Sequence, residues 1–335
     1  MLKYLILLLI ICSSKVFAIS EEGYLNTFTT QVWPYFQSFP EKKLPSFDNT
    51  LINYRHLALG NRDLVIVMGG RTEPIDKYAE LAFDLKDEAV DLLLIDSRGQ
   101  GRSERLLKDP QKGYVKNFED YAKDLKFLID NLKLRNQYKK VIFLAHSMGG
   151  AIGLQAQILY PKLFDGMILS VPMIEILLRG RSESGTLKLT KLLKLIGMKR
   201  SYIPGGGQVK DYWSFEENTV TQSLERHNMA HWLTINDRTL LMGSSTVNWV
   251  YEAIKAGRFI FKKRENISEL PILMFQAQHE NFSRYSRQNK MCASNPHCKR
   301  VYIFGSKHEV FMEKDEFRNI ALKETKIFLE KIIKN

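Results

Sequence analysis

The 335-residue sequence predicts an α/β protein: a mostly parallel sheet with helices on both faces and a mainly helical cap inserted between two late strands. Three observations predict it. Apolar β-rich runs alternate with amphipathic helical ones along most of the chain. Around Ser147 a strand leads directly into a small-residue turn and then a helix. After Val171 the alternation lapses for roughly a hundred residues, too long for a loop, and resumes at Pro271.

Strands are expected at Asn53–Ala58, Leu64–Met68, Leu92–Ile95, Lys140–Ala145, Met167–Val171, Ile272–Gln276 and Val301–Phe304. Helices are expected at Ile75–Lys86, Phe118–Leu132, Gly149–Leu159 and Glu316–Ile333; in the last, Phe317, Ile320, Ala321, Thr325 and Phe328 recur at helical spacing. The expected boundaries are a first core part at 19–171, a cap at 172–268 and a second core part at 269–335. The cap then lies over the carboxyl edge of the sheet, where open α/β sheets bind ligands.

Hydrophobic residues make up 44% of the chain and charged residues 26%, with 20 Gly and 10 Pro, which excludes collagenous, low-complexity and disordered classes. A chain of this length buries enough surface to need neither a disulfide framework nor a metal staple. The formal net charge of +12 invites nucleic acid, an anionic membrane surface or acidic substrates. The basic residues are spread along the chain without a zinc-finger spacing or a long basic run, which argues against nucleic acid.

Residues 1–18 read as a secretory signal: Lys3 supplies the charged start, Tyr4 to Cys12 an apolar run too short to span a bilayer, and Val16-Phe17-Ala18 a small residue before the cut. The expectation is an exported protein, periplasmic or secreted, with an uncleaved anchor as the alternative. Loss of Cys12 with the signal leaves Cys292 and Cys298, for which a disulfide is expected ahead of free thiols and of a metal site with His279 and His297, a spacing that fits no standard zinc pattern.

The strongest chemical signal is Phe143-Leu144-Ala145-His146-Ser147-Met148-Gly149-Gly150, close to the nucleophile elbow G-x-S-x-G with Ala145 at the first glycine. Ser147 is the candidate nucleophile. An oxyanion needs donors, and the backbone N–H groups of Met148 and of Arg71 are candidates, the latter following Gly69 and Gly70; Gly69, Gly70 and Gly149 allow close backbone approach. His308, on the loop after the last strand, is the candidate base, and Glu280, after the preceding strand, the orienting acid, with Asp96 or Glu309 as alternatives. The order Ser, acid, His is that of α/β-hydrolases.

With Gly70-Arg71-Thr72-Glu73, Lys77 to Ala82, Asp96 to Ser103, Trp249 to Gly257, His308-Glu309 and Glu313-Lys314-Asp315, the chain resembles bacterial lysophospholipases of the L-two type, in the monoacylglycerol lipase branch of the serine α/β-hydrolases. The resemblance implies hydrolysis of the acyl ester of a single-chain lipid through an acyl-enzyme, with no metal or organic cofactor. A monoacylglycerol lipase, a general carboxylesterase and a catalytically inactive lipid-binding protein are the alternatives. Between Arg179 and Arg200, Arg179, Arg181, Lys188, Lys191, Lys194, Lys199 and Arg200 face one acid, Glu183, and Leu189, Leu192, Leu193 and Ile196 recur at helical spacing. This segment is either a peripheral contact with anionic membrane or an ordinary cap helix with packed leucines and solvated lysines.

Overall fold

The structure is a computed structural model that describes residues 18–178, 180–211 and 214–334. The first seventeen residues, Cys12 and most of the expected signal among them, and Arg179 lie outside the described residues. The sheet has eight strands: β1 (Glu41–Pro45), β2 (Leu51–Leu57), β3 (Asp63–Met68), β4 (Val90–Ile95), β5 (Lys140–His146), β6 (Gly166–Ser170), β7 (Ile272–His279) and β8 (Cys298–Lys307). Their spatial order is β1-β2-β4-β3-β5-β6-β7-β8. The pairs β1–β2 and β2–β4 are antiparallel and the rest parallel.

The central strands are buried on both faces, and their residues divide alternately between two apolar cores. Leu64, Ile66 and Met68 of β3 enter one core, while Val65 and Val67 enter the other. The helices that cover these faces are α1 (Ala79–Asp84), α2 (Glu119–Asn131), α3 (Ser147–Leu159), α7 (Tyr285–Ala293) and α8 (Asp315–Lys334), with α4 to α6 in the insertion described next. Each expected strand is present within a few residues. The exception among expected elements is Ile75–Lys86, whose first turn, Ile75–Tyr78, is a 3₁₀ helix leading into α1. The structure adds β1 and a helical segment at 24–37 that anchors on the core through Phe28, Val32 and Phe36.

Between β6 and β7 the chain forms the cap helices α4 (Glu183–Leu195), α5 (Leu224–Asn236) and α6 (Val247–Lys262). Each starts at a Ser or Thr whose hydroxyl accepts a backbone N–H from the first turn: Ser182 from Gly185, Ser223 from Arg226 and Thr246 from Trp249. The cap is fastened by Arg226 of α5. This fully buried guanidinium pairs with Glu80 of α1 and Asp315 of α8 and donates to the carbonyls of Ile19 and Glu313. Cys292 and Cys298 form a disulfide at the base of β8, with a Cα–Cα distance of 5.3 Å, which commits both sulfurs and removes the metal alternative.

The helix α4 splits the leucine stripe: Leu189 and Leu193 line a cavity under the cap, while Leu192 and Ile196 point outward. Thr186 and Thr190 are its buried residues, and the Thr190 hydroxyl donates back to the Thr186 carbonyl. Leu192, Leu195 and Ile196 are exposed, at 57%, 75% and 64%, beside exposed Lys188 and Lys191. Lys194 faces inward, 3.4 Å from Glu252 and over the Tyr251 ring.

Candidate active site

Ser147 sits at the junction of β5 and α3 in the left-handed region, with φ of +46°. A side chain adopts this conformation only when its surroundings enforce it. Here they do so by close packing. A Cβ at Gly149 would lie 2.5 Å from the Met68 carbonyl oxygen, and one at Gly70 would lie 2.9 Å from His146 Nδ1 and 3.2 Å from Ser147 Cβ. The loop after β3 and the first turn of α3 are therefore pressed together around the serine. Ala145, inside β5, is fully buried and needs no such freedom.

His308 follows β8 and is buried. Its Nδ1 is 2.6 Å from Oε2 of Glu280, while Oε1 of Glu280 accepts the backbone N–H groups of Phe282 and Ser283 at 2.6 and 2.7 Å. The glutamate is held by its own loop on one oxygen and orients the imidazole with the other. Burial pushes the Glu280 carboxyl up, but the hydrogen bond and charge of His308 and the two N–H groups outweigh it and hold the group below its ordinary range. Burial and the neighbouring His146 push the His308 pKa down, and Glu280 only partly opposes them. His308 is thus a neutral imidazole with Nδ1–H toward Glu280 and Nε2 as the basic nitrogen.

The alternative acids serve elsewhere. Asp96 accepts from Asn53, from the N–H of Ile75 and from the N–H of Arg102. Glu309 pairs with Lys77. The run from Asp96 to Ser103 braces the loop after β3: Gln100 Oε1 accepts the N–H of Thr72 at 2.7 Å and Gln100 Nε2 lies 3.5 Å from Met148 Sδ. The N–H of Met148 lies in the first turn of α3, where backbone donors have no partner within the helix. Gly70 N–H is taken by Glu73, which leaves Arg71 N–H as the next donor of that loop.

Sequence reasoning missed a second His–Glu pair directly behind the first. His146 Nδ1 is 2.7 Å from Glu73 Oε2 and His146 Nε2 is 3.2 Å from the His308 carbonyl oxygen; the two imidazoles are 4.5 Å apart. Both ring nitrogens face acceptors, an arrangement that favours the protonated ring. Burial opposes that charge, but Glu73 overrides it and raises the His146 pKa. Tyr78 and Lys77 complete the cage around Glu73, at 2.7 and 3.0 Å. The available signals were a histidine closing an otherwise apolar strand and Glu73 and Lys77 at i, i+4.

Ser147, His308, Arg71, Glu73 and His146 line one chamber of about 250 Å³ beneath the cap. A second cavity of about 590 Å³ adjoins it, sharing Ile176, Leu177, Ser245 and Trp249 and extending along Leu189, Leu193 and Val250. An open α/β sheet with a helical insertion after β6 and a serine elbow over β5 defines an α/β-hydrolase.

Within that class the chain belongs to the family described as serine aminopeptidase, S33, which matches residues 60–315. It is 31% identical to a probable lysophospholipase L2 of Haemophilus influenzae over 92% of this chain and 98% of that one, and 31% identical to lysophospholipase L2 of Escherichia coli over 86% of each. Human monoglyceride lipase is 30% identical over 41% of the chain and 46% of its own length. A carboxyl esterase from Bacillus coagulans superposes with a TM-score of 0.72 at 17% identity, covering 88% and 99%, and monoglyceride lipase from Saccharomyces cerevisiae with 0.67 at 17%, covering 87% and 94%. The chain is a carboxylic ester hydrolase of this fold.

The electrostatics set the pH profile. With its pKa pushed down, His308 keeps its basic form to lower pH than an ordinary histidine, so the acid limb of kcat/KM is expected below about 6.5. His146→Gln removes a positive neighbour and moves that limb up; Glu280→Gln removes a negative one and moves it further down. Limbs that move oppositely, in pH–rate profiles on a soluble ester, contradict this assignment.

Proposed function

We propose that Ser147 is the nucleophile, His308 the general base and Glu280 the orienting acid of a lysophospholipase. Ser147 Oγ attacks the acyl carbonyl as its proton passes to His308 Nε2, and Glu280 fixes the imidazole tautomer. The N–H groups of Met148 and Arg71 receive the oxyanion. Collapse of the tetrahedral intermediate releases the glycerophospho-alcohol with the proton returned from His308, and water then cleaves the acyl-enzyme to the fatty acid.

The observation that carries the reading is the pair of joined cavities. One holds the reacting groups, and the other is an apolar recess under α4 and α6 suited to a single acyl tail. The relatives named lysophospholipase L2 match along nearly the whole chain, cap included, whereas the human monoglyceride lipase match covers less than half. An aminopeptidase needs a free carboxylate for the substrate's α-amino group. The carboxylates lining the chamber, Glu73 and Glu309, are already engaged by His146, Tyr78 and Lys77.

Hydrolysis of lysophosphatidylcholine, monoolein and p-nitrophenyl esters by purified protein tests the reading. Ser147→Ala is expected to lose on the order of 10⁶ in turnover, His308→Ala a comparable factor, and Glu280→Gln less, because the base remains. Retained turnover in Ser147→Ala overturns the assignment, and absence of turnover in the wild type favours an inactive lipid-binding protein.

The enzyme is proposed to be exported and to rest on an anionic bilayer through the outward face of α4, where Leu192, Leu195 and Ile196 stand among exposed Lys188, Lys191 and Lys199. Leu189 and Leu193 line the acyl recess on the same helix, so the bilayer contact adjoins the substrate route. Three lysines at roughly 1 kcal/mol each correspond to about a hundredfold in affinity. Co-sedimentation with vesicles containing phosphatidylglycerol should weaken by that order in the Lys188→Glu/Lys191→Glu/Lys199→Glu variant and in high salt. Equal binding to neutral and anionic vesicles, or a concentration-dependent dimer that buries this face, overturns the contact.

A further inference from the structure

An oxyanion donor at position 71 requires only a backbone N–H, yet the residue there is arginine. Arg71 lines the substrate chamber, and its guanidinium is 5.6 Å from the ring centroid of Trp249, which lines the chamber too. Nη2 donates to the Gly243 carbonyl, and Nε is buried without a partner. Gly113 leaves the space it occupies, since a Cβ there would stand 2.9 Å from Nη2.

Arg71 lacks the paired carboxylate that the four least exposed arginines of the described residues all have. Arg98 pairs with Asp48 and Asp124, Arg226 with Glu80 and Asp315, Arg318 with Glu80 and Asp84, and Arg55 with Glu41. Among the described residues no carboxylate pairs with Arg71, and the ionisable groups acting on it are the phenols of Tyr121 and Tyr202. Burial pushes its pKa down to about 10, which leaves it charged at neutral pH. A buried guanidinium without an anion is costly, and its Nε is buried with no acceptor among the described residues. A site of this kind is complete when an anion enters it.

Position identifies the anion. The N–H of Arg71 faces the acyl carbonyl in the proposed reaction, so its guanidinium lies one arginine side chain away from the scissile bond. In a single-chain phospholipid the glycerol unit places a phosphate diester at a similar remove from the acyl carbonyl. A monoacylglycerol offers an uncharged hydroxyl there. We infer that Arg71 is a specificity residue whose guanidinium binds the head-group phosphate of the lipid substrate, making the chamber selective for phosphoester over neutral glycerol head groups. This rests on the lipid-esterase reading above and adds the group that recognises the head.

The test compares wild type, Arg71→Gln and Arg71→Lys. Every variant retains a backbone N–H at position 71, so damage to the oxyanion site falls on all esters alike, whereas head-group recognition appears in the ratio between them. The ratio of kcat/KM for lysophosphatidylcholine to that for monoolein is expected to fall roughly 30- to 100-fold in Arg71→Gln, mainly through KM, with partial rescue by lysine. Equal loss on both substrates overturns the inference.

A second arm needs no lysophospholipid turnover: glycerol 3-phosphate, inorganic phosphate and glycerol are tested as inhibitors of p-nitrophenyl butyrate hydrolysis. Inhibition by glycerol 3-phosphate that disappears in Arg71→Gln supports the anion site even where lysophosphatidylcholine is not a substrate, in which case only the lysophospholipase reading falls. Glycerol 3-phosphate inhibition that is unchanged in Arg71→Gln, or inorganic phosphate binding more tightly than glycerol 3-phosphate, overturns the head-group assignment.

Discussion

The site depends on one backbone constraint, the left-handed turn at Ser147 that lifts its hydroxyl above the sheet edge. That turn closes only because the loop after β3 reaches it without side chains in the way, at Gly70 against Ser147 and His146 and at Gly149 against the Met68 carbonyl. The parallel pairing of β3 with β5, Met68 opposite Ala145, sets the two strand ends at one level. The same approach brings the loop that carries Arg71 against the turn that carries Ser147 and Met148. In the proposed mechanism the nucleophile and the oxyanion donors thus follow from a single packing solution.

Electrostatics then pushes the pKa values of two neighbouring histidines in opposite directions. Glu73, caged by Tyr78, Lys77 and Gly70 N–H, raises the His146 pKa; burial, and then His146, lower that of His308. Burial alone would neutralise both rings. The charges beneath the chamber favour the proton on His146 over the proton on His308.

Much of this was legible in the sequence because the signals were local. The strand, small-residue turn and helix around Ser147 lie within a dozen or so residues, and the positions of Glu280 and His308 follow from being the loops after the last two strands. Elements at the margins were harder. The edge strand β1 reads Glu-Lys-Lys-Leu-Pro, with the polar character that protects a sheet edge and little of the apolar alternation that reveals a strand. The 24–37 segment carries Phe28, Val32 and Phe36 at helical spacing but also Thr29, Thr30 and Pro34, which weaken the helical signal. The leucines of α4 had the spacing of a buried stripe, and only the packing of Thr186 and Thr190 against the cap showed which face turns inward. Glu73, His146 and Glu309 meet across long sequence separations, and no local pattern encodes such a meeting.

The central claim is that an acyl group passes through Ser147. Rapid acid quench of the enzyme with excess lysophosphatidylcholine, followed by intact-mass and peptide analysis, reads this directly. The account predicts an adduct of one fatty acyl mass on the peptide containing Ser147, and no adduct in Ser147→Ala. Turnover of the lipid with no acylated protein in Glu280→Gln, where slowed deacylation favours accumulation, or an acyl group on another residue, would contradict it.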